Sequence, residues 1–271
     1  MIVRLWLHGR AENTIAAYRR DVARFFAAAG KQLVDVQLAD LQSFADSMST
    51  SSPATRARHL AAVRSLISFA ARMGYLTGDP GKALRVEKAA EASVERILSE
   101  VEVSRLIGAA RNARDRVLLR LLYGCGLRAS EAAGLRRRDL TARKRGGEAR
   151  ILGKGRKLRT VEIPAALWRE IGELSGTGAP ESPVIPGEDG KQMHRQAVFR
   201  AVRGAARRAG LEQVVSPHWL RHSHASHALD NGAPLQAVQR DLGHASATTT
   251  SRYLHKRAGD SSSQYLPGMR S

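Results

Sequence analysis

The spacing of apolar residues along the chain predicts a succession of amphipathic helices, interrupted once by a segment of strand character. Ile15, Tyr18, Val22, Phe25 and Phe26 fall on one helical face, with Asn13 or Thr14 as the cap and Gly30 as the stop. Leu38, Leu41, Phe44 and Met48 predict a second helix. Ser52-Pro53 opens a third, because proline at the first helical position gives up an N–H that has no helical partner there. Leu60, Val63, Leu66, Ile67 and Ala70 supply its core face, and Gly74 ends it. Arg56, Arg58, His59 and Arg64 lie off that face, where they meet either DNA backbone or solvent.

Gly78-Asp79-Pro80-Gly81 is a cluster of helix breakers, and the chain from there to Arg96 is polar and charged without a firm period. This divides the sequence into a helical domain over residues 1–80, a linker over 81–96 and a second domain over 97–271. The second domain begins with a capping box, Ser99 and Glu102, ahead of Val103, Leu106 and Ile107. A helix from Arg114 to Tyr123 buries Val117, Leu118, Leu121 and Leu122. A glycine-punctuated turn, Gly124-Cys125-Gly126-Leu127-Arg128, then enters a short helix ending near Leu135.

Between Glu148 and Ile163 the pattern changes to that of a hairpin. Arg150-Ile151-Leu152 and Leu158 to Ile163 flank Gly153-Lys154-Gly155-Arg156-Lys157, whose glycines allow the backbone angles of a tight turn. Pro164 opens a helix through Leu167, Trp168 and Ile171. Residues 175–190 read as an exposed loop with a short strand at Val184-Ile185. His194 to Ala209 is a basic amphipathic helix, with Val198, Val202 and Ala206 inward and Arg195, Arg200, Arg203, Arg207 and Arg208 on its polar surface. Helices follow from Pro217 and over Leu235 to Leu242, and Thr248-Thr249-Thr250 starts another short one. The fold class is therefore mainly α with a small antiparallel β-sheet.

Charge narrows the function. The 271 residues carry a formal net charge of +19, which points to a polyanionic partner rather than a merely solubilising surface, and nucleic acid is the expected class. The single cysteine, Cys125, excludes an intrachain disulfide framework and sits in an apolar run as a small core residue. The N-terminus is charged too early for a signal peptide, and no apolar run reaches membrane-spanning length. A cytoplasmic protein with no membrane partner is expected.

The stretch from His218 to Tyr253 gathers residues suited to one reaction, cleavage of a phosphodiester without a metal. Negative charge grows on the non-bridging oxygens in the transition state, and arginine forks meet it with paired hydrogen bonds. A nucleophile must attack in line, and an acid must protonate the leaving oxygen. His218 and Arg221 are three apart at a helix start, His244 follows Gly243 at a helix end, and Tyr253 lies beyond. The residues alone do not separate Lys154 from Lys157, or His218 from His222. His218 and His222 share a helical face, but no carboxylate or cysteine cluster completes a metal ligand set, so neither metal nor cofactor is expected. His224 and His227 pack along the helix, and Trp219 and Leu220 belong to the core. Glu131 either orders Arg128 by a salt bridge or simply sits one turn into its helix.

His218-Trp219-Leu220-Arg221-His222, Leu242-Gly243-His244-Ala245-Ser246 and Thr249-Thr250-Ser251-Arg252-Tyr253 resemble the C-terminal motif of the tyrosine recombinases, the phage integrase family. Gly126-Leu127-Arg128-Ala129-Ser130-Glu131 resembles its first-arginine motif, and Gly153-Lys154-Gly155-Arg156-Lys157-Leu158-Arg159 its catalytic-lysine hairpin. The resemblance implies a helical core-binding domain followed by a mixed α/β catalytic domain. It implies Tyr253 as nucleophile, Arg128 and Arg221 as the phosphate clamp and Lys154 as general acid. It also implies His218 as general base and His244 as a phosphate hydrogen-bond donor. The activity it implies is site-specific recombination of double-stranded DNA through a 3′-phosphotyrosyl intermediate and a Holliday junction, by a homo-tetramer or a tetramer with a related recombinase. The rival readings are a catalytically silent DNA-binding accessory factor and a metal-dependent nuclease. The early first helix suggests a simple recombinase of the Xer kind without an arm domain, and Gly259, the serine run, Pro267 and Gly268 argue against a long C-terminal helix.

Overall fold

The computed structural model describes residues 1–85, 97–153, 158–176 and 178–243. Lys154, His244, Tyr253, the helix expected from Thr248, the C-terminal tail and most of the expected linker lie outside the described residues. The chain divides into two compact units, Met1–Val94 and Glu95–Ser271.

The first unit is helical. It comprises α1 (Ile2–Leu7), α2 (Glu12–Ala29), α3 (Leu38–Ser47) and α4 (Pro53–Arg72), with short 3-10 turns at Leu33–Asp35 and Pro80–Lys82. Phe25, Leu41, Phe44, Met48, Leu60 and Ile67 form its main core, which Leu84 also joins. A second cluster pins α1, which the apolar spacing did not predict. Trp6 stacks on Tyr18 with ring centroids 5.2 Å apart, and its indole N–H donates to Ser65 Oγ at 3.1 Å. Helix α4 starts as expected, with the Ser52 hydroxyl accepting from the Thr55 N–H. Helix α2 does not. It begins at Glu12 behind Ala11, with no side-chain cap, so the cap position lies two to three residues ahead of the expected Asn13 or Thr14.

His59 also departs from expectation. It is buried beside Asp21, a fully buried carboxylate on α2, rather than facing outward with Arg56 and Arg64. Arg58 donates to Asp21 Oδ2 and, at 3.0 Å, to His59 Nε2. With Nε2 accepting, the His59 proton belongs on Nδ1, which faces Asp21 Oδ1 at 3.3 Å.

The second unit places a three-stranded antiparallel sheet, order β1-β2-β3, beside a set of helices. The strands are β1 (Leu140–Arg143), β2 (Gly146–Leu152) and β3 (Leu158–Ile163). The expected hairpin is β2–β3, in register from Gly147 opposite Ile163 to Leu152 opposite Leu158. Strand β1 was not foreseen, because Leu-Thr-Ala-Arg has no apolar alternation and three of its four residues are exposed. The inward residues Ala149, Ile151, Val161 and Ile163 alternate with outward ones, as a half-buried sheet requires. Helix α5 (Glu100–Gly108) carries the foreseen capping box, with the Ser99 N–H donating to Glu102 Oε2 at 2.8 Å and the Glu102 N–H to Ser99 Oγ at 3.2 Å.

The core runs through α6 (Ala113–Gly124), α7 (Ala129–Gly134), α8 (Ala165–Ser175), α9 (Arg195–Arg208) and the start of α10 (Pro217–Asp230). Helix α11 (Leu235–Leu242) packs on α10 through Leu229, Val238 and Leu242. The expected strand at Val184-Ile185 is absent: single bridges, Arg136 with Pro183 and Pro186 with Gln192, flank the pair. Nor is that part of the loop exposed, since both residues are fully buried. Among the described residues no helix is long and apolar enough to cross a membrane.

Candidate active site

Arg128, Arg221 and His218 arrive from two elements. Arg128 caps the start of α7, and α10 carries His218 and Arg221 in its first turns behind Ser216 and Pro217. The turn before Arg128 depends on Gly126. Its φ is +58°, and a Cβ there would meet His224 Cδ2 at 2.8 Å and Leu242 Cδ2 at 2.9 Å. Glycine therefore lets the first-arginine segment close against both α10 and α11.

Arg221 is almost fully buried. One terminal nitrogen, Nη1, donates to the Gly126 carbonyl at 2.6 Å, and Nη2 donates to the Leu242 carbonyl at 2.5 Å. The guanidinium thus uses carbonyls left unpaired by the turn and by the end of α11 to hold its own orientation. Arg128 keeps more contact with solvent, its side chain being 30% exposed.

Between the arginines lies Glu131. Its Oε1 accepts from Arg128 Nη1 at 2.8 Å and from Arg159 Nη1 at 2.9 Å. Its Oε2 accepts from the Arg128 backbone N–H at 2.8 Å and from Arg159 Nη2 at 2.7 Å, with Arg221 Nη1 4.0 Å away. Burial by itself raises the carboxyl pKa. The hydrogen bonds from Arg159 and Arg128 outweigh it and hold the group down at about 2. Of the two sequence readings of Glu131, the salt bridge to Arg128 is the one the structure contains.

His218 reaches solvent, yet the surrounding protein still strips water from the ring and lowers its pKa. The charges of Arg221, Arg195 and Arg128 act in the same direction. Four positions on, His222 is pushed down to about 4 by burial, by His218 and by Arg221. Both rings are neutral near pH 7 and have a nitrogen free of a proton, as a proton acceptor requires. Their centroids stand 6.2 Å apart. His224 lies against Gly126, and His227 Nδ1 pairs with the Tyr123 hydroxyl at 2.9 Å, so these two pack along the helix as expected. Leu220 is core, and Trp219 packs partly buried against it.

Cys125 is buried, and burial pushes its thiol up to about 12, which leaves it without nucleophilic character. Among the described residues, no group of three or more histidine, cysteine, aspartate or glutamate side chains is arranged to hold a metal ion. Arg200 and Arg207 of α9, with Arg111 and Arg114, line an open cavity of ≈ 460 Å³ whose charge Asp115 and Glu188 partly offset.

The structure therefore brings together Arg128, His218 and Arg221, while Lys154, His244 and Tyr253 fall outside the described residues. It adds Arg159, which sequence reading quoted within the hairpin motif without giving it a role. No local signal marks it, because its partners Glu131 and Asp241 are 28 and 82 residues away.

The sequence matches the phage integrase family over residues 94–259 and the phage integrase N-terminal SAM-like domain over residues 4–74. It is 36% identical over 262 residues to the tyrosine recombinase XerC of Xylella fastidiosa, covering 91% of this chain and 87% of that protein. It is 33% identical over 273 residues to the tyrosine recombinase XerD of Pseudomonas putida, covering 93% and 89%. Among solved structures, the XerH site-specific recombinase bound to palindromic difH substrate superposes with a TM-score of 0.75 at 23% identity, over 89% of this chain and 75% of that one. A lambda integrase dimer bound to a COC′ core site gives 0.75 at 17% identity, over 93% and 92%. These structural likenesses speak for the fold, and the sequence matches speak for kinship: the chain belongs to the phage integrase family, the tyrosine recombinases.

Proposed function

We propose that the chain is a site-specific DNA recombinase that cuts and rejoins strands through a 3′-phosphotyrosyl intermediate. The observation that carries this reading is the meeting of Arg128 and Arg221 at the ionised Glu131, with a neutral His218 whose pKa both arginines lower, in a family whose members include the XerC and XerD recombinases. Arg128 and Arg221 bind the non-bridging oxygens of the scissile phosphate. His218 takes the Tyr253 proton as the phenolate oxygen attacks phosphorus. The bond from phosphorus to the 5′ oxygen breaks, Lys154 gives that oxygen its proton, and His244 donates a hydrogen bond to the phosphate. The 5′ hydroxyl of another strand then reverses these steps, so bond energy is conserved and neither nucleotide nor metal is consumed.

Residues 1–80 act as the helical core-binding domain and 97–271 as the catalytic domain, with the segment between them as a linker. The net charge of +19 serves phosphate contacts along duplex DNA. Four protomers, or two pairs of related recombinases, synapse two sites and exchange strands through a Holliday junction in the cytoplasm.

The test uses a DNA site selected from a random or genomic pool, built as a nicked suicide duplex. Incubation in EDTA followed by a denaturing gel is expected to give a covalent protein–DNA band that Tyr253→Phe abolishes while DNA binding persists. Binding without any covalent band, with or without a partner recombinase, would instead identify a DNA-binding accessory factor. A cleavage activity that EDTA removes would identify a metal-dependent nuclease.

A further inference from the structure

Arg159 is nearly as buried as the carboxylate it meets, at 8% against 5% side-chain exposure. Its two terminal nitrogens make parallel hydrogen bonds to the two oxygens of Glu131, at 2.9 and 2.7 Å. Its Nε donates to the Asp241 carbonyl at 2.7 Å. One guanidinium thus bonds three pieces of chain that are far apart in sequence: β3, which carries it, the start of α7 through Glu131, and the last turn of α11.

The end of α11 is shaped to receive it. Gly243 has φ +63°, and a Cβ there would lie 3.1 Å from Arg159 Cδ and 3.3 Å from Nε, so any larger residue would press on the arginine. Arg221 takes the Leu242 carbonyl, the next one along, so the two arginines cap the end of this helix side by side. Stability alone is a weak reason for such an arrangement, since a well-packed apolar group often stabilises as much as a buried ion pair. What the planar fork supplies is direction, because it fixes the carboxylate in one plane and at one rotation.

We infer that Arg159 is a positioning residue of the recombinase, locking the β2–β3 hairpin and the end of α11 onto Glu131 and thereby setting the orientation of Arg128. The inference rests on the function proposed above. Its reach follows from chain order: Lys154 precedes β3 on the hairpin that Arg159 anchors, and His244 follows Gly243 at the helix end that Arg159 holds. One side chain is therefore tied to the start of α7 that bears Arg128, to the strand that follows Lys154 and to the helix end that precedes His244, while α10 meets this cluster only through Arg221.

Full-length wild-type, Arg159→Gln and Arg159→Lys proteins should be compared on the nicked suicide duplex for adduct formation under single-turnover conditions and for DNA affinity. Arg159→Gln is expected to slow adduct formation by roughly 100-fold, the scale of a misplaced catalytic group, with little change in DNA affinity. It should also gain an acid limb on the pH–rate profile. A buried Glu131 without its fork takes up a proton nearer neutrality and releases Arg128. Arg159→Lys keeps the charge without the fork, so it should remain slow but lack the acid limb. Should the Gln variant not fold, the Lys variant carries the test. An adduct rate equal to wild type in either folded variant, or a loss in Arg159→Gln that tracks only its folded fraction, would overturn the inference. A wild-type protein that forms no adduct would overturn the proposed function instead.

Discussion

Each unit of this chain buries a carboxylate among arginines, and the two do it differently. In the C-terminal unit, each Glu131 oxygen accepts two hydrogen bonds, and the group is held ionised with its pKa at about 2. In the helical unit, Asp21 is equally deep, but its Oδ1 and the facing His59 Nδ1 lack a hydrogen-bond partner among the described residues. Arg58 beside them keeps 40% of its side chain in contact with solvent. The difference teaches where geometry matters. A carboxylate that meets the fork of Arg159 on one side and the Arg128 side chain on the other fixes the direction of the guanidinium groups it bonds. A carboxylate met by one half-exposed arginine and one imidazole leaves the guanidinium less constrained.

Replacement of Glu131 should show the contrast most strongly. Glu131→Ala leaves buried Arg159 and Arg221 without their counter-charge and should cost about 3–5 kcal/mol of stability in the C-terminal unit, read from urea unfolding. Asp21→Asn, which keeps the volume and lets Arg58 turn to water, should cost about 1 kcal/mol. Equal losses from the two replacements would break the comparison.

Acid separates the two clusters by pH window. The folded pKa of Glu131, about 2, lies below its ordinary 4.5. The stability it contributes is therefore complete above pH 4.5 and is lost as pH falls towards 2, and the shift corresponds to on the order of 3 kcal/mol. His59 behaves as a histidine kept neutral. Burial lowers its pKa from 6.5, so its stabilising effect is present above pH 6.5 and drains away as pH falls below that value. His218, His222 and His224 carry the same sign in the other unit. Urea melts on either side of pH 6 should find that His59→Gln loses less stability on acidification than wild type does. An unchanged pH dependence would place the acid sensitivity entirely in the C-terminal histidines.

Much of this architecture was legible in the residues. Ser52-Pro53 and the Ser99–Glu102 box announced their helices because capping is a local hydrogen-bond requirement, satisfied within one turn. The β2–β3 pairing followed from alternation around paired glycines. Arg128, His218 and Arg221 were assigned through motifs, and the fold brings those three together. The Asp21–His59 cluster was invisible because a polar residue's burial depends on which helix packs against it, and nothing within α4 distinguishes His59 from Arg56. Helix α1 was missed because its place depends on one ring stacking on Tyr18 and one hydrogen bond to Ser65, both made with other helices. Arg159 stood in plain view inside a motif, but its importance lies in partners that only the fold supplies.

The central claim is that Tyr253 attacks the phosphate, and the most direct measurement is the identity of the residue bound to DNA. The adduct trapped on a suicide duplex should be digested with trypsin and nuclease, and the remaining nucleotide-bearing peptide sequenced by mass spectrometry. The account predicts the modification on Tyr253 within the peptide Tyr253-Leu254-His255-Lys256, which lies between tryptic cuts after Arg252 and Lys256. A nucleotide attached to any other residue would contradict it.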